Sequence, residues 1–77
     1  MTDREFRMAL AELGLTQSAA ARLLRVEAGT VGRWARGETR VPGTAEAFLR
    51  LLVTAGITGE AAIRLASGVT EDPGDRD

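Results

Sequence analysis

Apolar positions Phe6, Ala9, Leu10 and Leu13 fall at i, i+3, i+4 and i+7, the repeat of one helical face. Thr2 stands where an N-cap belongs, Glu5 three residues later completes a capping box, and Gly14 stops the run. Thr16 caps a second predicted helix from about Gln17 to Leu24, with Ala20, Leu23 and Leu24 on its inner face. Arg25, Val26 and Glu27 form a short turn before a third helix, from about Ala28 to Arg36, whose apolar side holds Val31 and Trp34 and which Gly37 ends. The polar stretch Glu38 to Gly43, with Pro42, reads as a loop.

The fourth helix, about Thr44 to Ala55, carries two stripes: Ala45, Phe48, Leu49 and Leu52, and then Ala47, Leu51 and Ala55. A helix apolar on two sides is buried on two sides, so the second stripe needs a cover, either a fifth helix or a second subunit. Gly56 ends it, and Thr58 caps a fifth helix with Glu60 in its first turn and a narrow apolar edge of Ala62, Leu65 and Ala66, ending at Gly68. Residues 69–77 hold Pro73, Gly74 and mostly acids, and read as a disordered acidic tail. Residues 1–68 thus form one all-α, compact five-helix domain, with no internal repeat.

Two short helices separated by so short a turn cross steeply instead of lying antiparallel. That is the helix-turn-helix arrangement, here spanning about residues 17–36, whose second helix can enter a major groove. Ala21 falls where the pair pass closest, and Val26, Val31 and Trp34 point inward.

Composition tests this reading. Net charge is −1, from ten basic and eleven acidic residues, which taken whole argues against a polyanionic partner. By segment the picture changes. Residues 69–77 carry −3, residues 1–68 carry +2, and the stretch from Arg22 to Arg40 alone carries +3. Every basic residue is Arg, whose planar fork suits phosphates and guanine edges, although a Lys-free, Ala-rich chain is also what GC-rich codons produce. There is no Cys, His or Tyr, and Ser18 and Ser67 are the only serines. An enzyme is therefore not expected: there is no His to activate either serine, the carboxylates stand singly, and no phosphate-binding glycine loop appears. No metal or cofactor is expected either. No apolar run nears the roughly 18 residues of a membrane span, and the charged N-terminal stretch is no signal peptide, so a cytoplasmic location is expected, nucleoid-associated when bound.

The run Leu13-Gly14-Leu15-Thr16-Gln17, then Ala20-Ala21-Arg22-Leu23-Leu24, Val26, Thr30-Val31, Arg33-Trp34, Arg36-Gly37-Glu38 and Val41-Pro42 resembles the phage lambda repressor-like (Cro-like, xenobiotic-response-element type) helix-turn-helix DNA-binding domains. The resemblance covers roughly residues 4–53. It implies a five-helix fold that binds double-stranded operator DNA as a homodimer, often as a small autorepressor in phage, antitoxin or anti-CRISPR-associated operons. Carried over by position, it implies base readout by Ala28, Gly29, Thr30 and Arg33, with Arg33 bidentate to guanine. It implies phosphate contacts by Gln17, Arg36 and Arg40, and more weakly by Arg22 and Arg25. Leu51, Ala55, Ile57 and Leu65 are the candidate dimer interface.

Three departures bear on this. Arg25 stands where the turn favours Gly, which costs on the order of 1 kcal/mol if the left-handed backbone is kept. Glu27 replaces the usual Ser, Thr or Asp cap of the third helix. Gly29 and Gly32 weaken that helix by up to roughly 1 kcal/mol each and place no side chain in a groove. The Gly-rich third helix and the acidic tail motivate a second reading, an antitoxin-like or anti-repressor module of the same fold that binds a protein partner through helices four and five.

Overall fold

The computed structural model describes residues 1–68. It contains α1 (Asp3–Leu13), α2 (Gln17–Leu24), α3 (Ala28–Ala35), α4 (Gly43–Ala55) and α5 (Gly59–Ala66), and no strand among the described residues. The expected acidic tail, residues 69–77, lies outside the described residues.

Local capping chemistry sets most helix ends. Thr2 Oγ1 accepts from the Glu5 amide and the Glu5 carboxylate accepts from the Thr2 amide, the full reciprocal box. The Oγ1 atoms of Thr16 and Thr58 accept from the Ala19 and Ala61 amides. Gly14 and Gly56 close α1 and α4 in left-handed conformation. Two bounds move by one residue. Arg36 is the C-cap of α3 and no longer part of it, and α4 starts at Gly43 because Pro42 takes the N-cap position.

Helix α1 is the hub. It packs on α3, α4 and α5, while α2 packs on α3 and α5. Phe6, Val31 and Leu49 are fully buried and bring α1, α3 and α4 to one centre, where the Phe6 ring meets the Trp34 ring edge-on with centroids 5.8 Å apart. Leu10, Leu13, Leu15, Ala20, Leu23, Val41, Leu52 and Ala62 complete the core. Leu24 and Val26, expected to point inward, are only half-buried at its rim.

Helix α5 docks on α1 and α2 rather than on α4. The second stripe of α4 is therefore not covered from within the domain: Ala47 and Ala55 are exposed, and Leu51 is 62% exposed. The expected apolar edge of α5 also splits. Ala62 is buried, whereas Leu65 is 66% exposed and Ala66 is exposed.

Three carboxyls are held below their ordinary values: Asp3 mainly by its hydrogen bond from Arg7, Glu38 by Arg36, and Glu46 by the Met1 ammonium and then Arg50. A carboxyl depressed in the folded state contributes stability above its unfolded value and loses it as pH falls through the folded one. Thermal melts should therefore hold level down to about pH 5. They should decline once pH passes the ordinary values, 3.8 for Asp3 and 4.5 for the two glutamates. The decline should be shallow, because exposed ion pairs are well screened. In a Glu38→Gln/Glu46→Gln double variant this acid limb should flatten, and an unchanged limb would count against these pairs.

Candidate nucleic-acid interface

Arg25, Val26 and Glu27 are the whole connection between α2 and α3. So short a link requires a sharp reversal, and Arg25 makes it at φ +63°, the only non-glycine residue at positive φ among the described residues. The conformational cost, on the order of 1 kcal/mol, is accompanied by a contact: Arg25 Nη2 donates to the Ala66 carbonyl at 2.9 Å, tying the turn to the end of α5.

Helix α3 is weak by itself. It contains Gly29 and Gly32, and Glu27 makes no side-chain cap bond at its start. Support comes from elsewhere. Arg7 Nη1 donates to the Ala35 carbonyl at 2.6 Å and to Asp3 Oδ2 at 2.8 Å. Arg7, on the polar side of α1, thus satisfies a terminal carbonyl of α3, where a cation also complements the helix dipole. Just beyond, Gly37 turns at φ +78°, and a Cβ there would sit 3.2 Å from the Asp3 carboxyl carbon.

With Val31, Gly32, Trp34 and Ala35 turned into the domain, α3 presents Ala28, Gly29 and Arg33 outward, with Thr30 half-buried beside them. Arg33 Nη2 donates to Thr30 Oγ1 at 3.2 Å, and its guanidinium lies 3.7 Å from where a Gly29 Cβ would stand. The outward face of α3 is thus a bare stretch of helix backbone with one arginine laid along it.

The flanking candidates gather around this face to different degrees. Gln17, the first residue of α2, and Arg36 converge over Gly32: a Cβ there would be 3.8 Å from Gln17 Oε1 and 3.1 Å from Arg36 Nη1. Arg36 is not free, since Nε and Nη2 donate to the two Glu38 oxygens at 2.8 and 3.3 Å. This fork keeps Glu38 ionised and pushes the Arg36 guanidinium further toward its charged form. Arg22 and Arg40 are exposed and have no hydrogen-bond or ion-pair partner among the described residues. Of the dimer candidates, Leu51, Ala55 and Leu65 are exposed, while Ile57 is half-buried against the core.

Sequence reasoning missed two participants, Arg7 and Glu38. The i, i+4 spacing of Asp3 and Arg7 signalled their ion pair but not the reach of Arg7 to α3. Glu38 stands two residues from Arg36, a spacing that permits the fork without dictating it.

Chemically, the face is rich in guanidinium donors, with one carboxamide and one hydroxyl that both donate and accept, and with the Glu38 carboxylate engaged by Arg36. Such a set suits acceptor-rich, anionic partners. Among the described residues no three carboxylates gather into a metal-holding group, and no helix is long and apolar enough to cross a membrane. Comparison with family models, curated proteins and solved structures finds no match to this chain.

Proposed function

We propose that the chain is a sequence-specific DNA-binding regulator of the lambda repressor-like helix-turn-helix type, acting by binding and not as an enzyme. One observation carries this reading: α3 turns Gly29 and Arg33 outward, with Thr30 half-buried beside them, while Gln17 and Arg36 converge over Gly32. In that reading α3 lies in the major groove, with Arg33 bonding guanine O6 and N7 and Thr30 steadying the guanidinium. The amide of Gln17 and the arginines take phosphates. Bare backbone at Gly29 lets the helix approach closely, so few bases are read directly and DNA shape contributes more of the specificity.

The uncovered stripe of α4, with Leu51 and Ala55, and Leu65 on α5 are assigned to a second copy. The two recognition helices would then read half-sites about 34 Å apart on a two-fold operator. Binding near a promoter would obstruct polymerase, most simply at the chain's own operon. Sedimentation at micromolar concentration should give the mass of a dimer, and a monomer there would remove this assignment.

Gel shifts with DNA from upstream of the chain's own gene, repeated across salt concentrations, test the reading. Strong, salt-sensitive retention is expected. Arg33→Ala should weaken operator binding by about 1–3 kcal/mol and relax the preference at one base pair, whereas Arg40→Ala should weaken all sequences alike. An Arg33→Ala variant with unchanged operator affinity would remove Arg33 from readout. The exposed Leu51 and Leu65 side chains favour one alternative, a protein-interaction module working through α4 and α5. Absence of DNA binding even at low salt is the outcome that selects it.

A further inference from the structure

The chain leaves α5 beside two arginines that lack carboxylate partners among the described residues. Arg25 holds the Ala66 carbonyl, and Arg22, Leu23, Arg25, Ile63, Ala66 and Ser67 line a common pocket of about 300 Å³. Among the described residues neither Arg22 nor Arg25 takes part in an ion pair. Arg25 commits one Nη2 bond to Ala66, which leaves other guanidinium donors for a second partner. These two residues are also among the phosphate candidates of the proposed DNA-facing surface.

The most acidic stretch of the chain begins just after Gly68. Glu71, Asp72, Asp75 and Asp77 stand against Arg76 alone, giving −3 over residues 69–77. Nine residues reach at most about 30 Å. From an exit point pinned to Arg25, every one of these carboxylates can meet the α2–α3 turn. Tethering over so short a span raises their effective concentration at the arginines to about the millimolar range.

We propose that residues 69–77 are an intramolecular acidic ligand for Arg22 and Arg25, occupying the charges that a phosphate would otherwise take. The contact stands on the geometry of the exit and on charge complementarity, and only its consequence for DNA rests on the proposed function. That consequence is competition. Non-specific DNA must displace the acidic segment, and an operator that also engages α3 does so more readily. If the arginines are occupied about nine-tenths of the time, apparent non-specific affinity falls about tenfold.

The experiment compares the full chain with a full-chain variant carrying Glu71→Gln, Asp72→Asn, Asp75→Asn and Asp77→Asn. At low salt the side-chain Nε–Hε resonances of Arg22 and Arg25 should differ between the two proteins, and the difference should vanish at high salt. The variant should also bind non-specific duplex DNA about tenfold more tightly. In an Arg22→Gln background that gain should shrink, as coupled partners require. Identical arginine resonances at low salt would overturn the proposal, whatever the DNA result. A gain in affinity that is undiminished by Arg22→Gln would replace docking with general repulsion. Differing resonances without DNA binding by either protein would leave the contact standing and overturn the DNA reading instead.

Discussion

Phe6→Ala should abolish the cooperative fold at physiological temperature. Phe6 is fully buried, sits where α1, α3 and α4 meet, and packs edge-on against Trp34 with an interplanar angle of 86°. Removing a buried phenyl ring costs about 3–5 kcal/mol in lost transfer energy and residual cavity. A domain of this size has a total stability of only about 3–10 kcal/mol, so the loss is comparable with the whole. Thermal and urea melts followed by circular dichroism give the answer. A fall in Tm of at least about 12 °C is expected, or no transition at all. Phe6→Leu keeps most of the volume but loses the edge-on contact, and should cost far less. If Phe6→Ala melted within a few degrees of the parent, the three-helix centre at Phe6, Val31 and Leu49 would be wrong.

The second large effect runs against helix propensity. Gly59 is the first residue of α5, where replacement of Gly by Ala ordinarily helps. Here a Cβ would stand 2.5 Å from the Leu15 side chain and 2.6 Å from the Leu13 carbonyl oxygen. The leucine can swing; the backbone carbonyl cannot without shifting the end of α1. Gly59→Ala should therefore destabilise by about 1–3 kcal/mol, the usual cost of overpacking. The damage should be local at first, with α5 lifting from α1 and α2 and uncovering Ala62, Leu13 and Leu15. Hydrogen exchange would then show faster exchange in α5 than in α3 or α4, and an increase in Tm on this substitution would refute the close approach.

The parts legible in the sequence are those decided within a few residues. The Thr2–Glu5 box, the caps Thr16 and Thr58 and the stops at Gly14 and Gly56 fix helix ends through bonds between near neighbours, so the helices lie where the pattern places them. The left-handed Arg25 was foreshadowed only by the resemblance, in which that turn position favours Gly. What stayed hidden depends on which helix meets which. Two stripes on α4 cannot say which of them faces α1, and so the exposure of Leu51 needed the packing of α5. Nothing near Arg7 in the sequence points to its partner, because that partner is the end of α3, 28 residues later in the chain. Gly59 carried no local sign of the carbonyl it passes. In the candidate site, the inner places of Val31 and Trp34 followed from the pattern, while the outward candidates Ala28, Gly29, Thr30 and Arg33 came from the resemblance. The fork to Glu38 and the bond from Arg33 to Thr30 followed from rotamers that no periodicity encodes.

The hub position of α1 has a consequence for how the chain acquires its structure. The α2–α3 pair is joined by three residues and closes at little entropic cost, yet the side it buries through Val31 and Trp34 is covered by α1, with α4 contributing Leu49 to the same centre. Bringing α1 to α4 requires ordering everything between them, so the quick local pairing gains little until the distant one forms. The rate-limiting ensemble should therefore contain α1 against α3 and α4, while α5, which touches neither α3 nor α4 extensively, joins late. A permuted chain that separates α1 from α2 but shortens its path to α4 would then fold by the same nucleus, and faster.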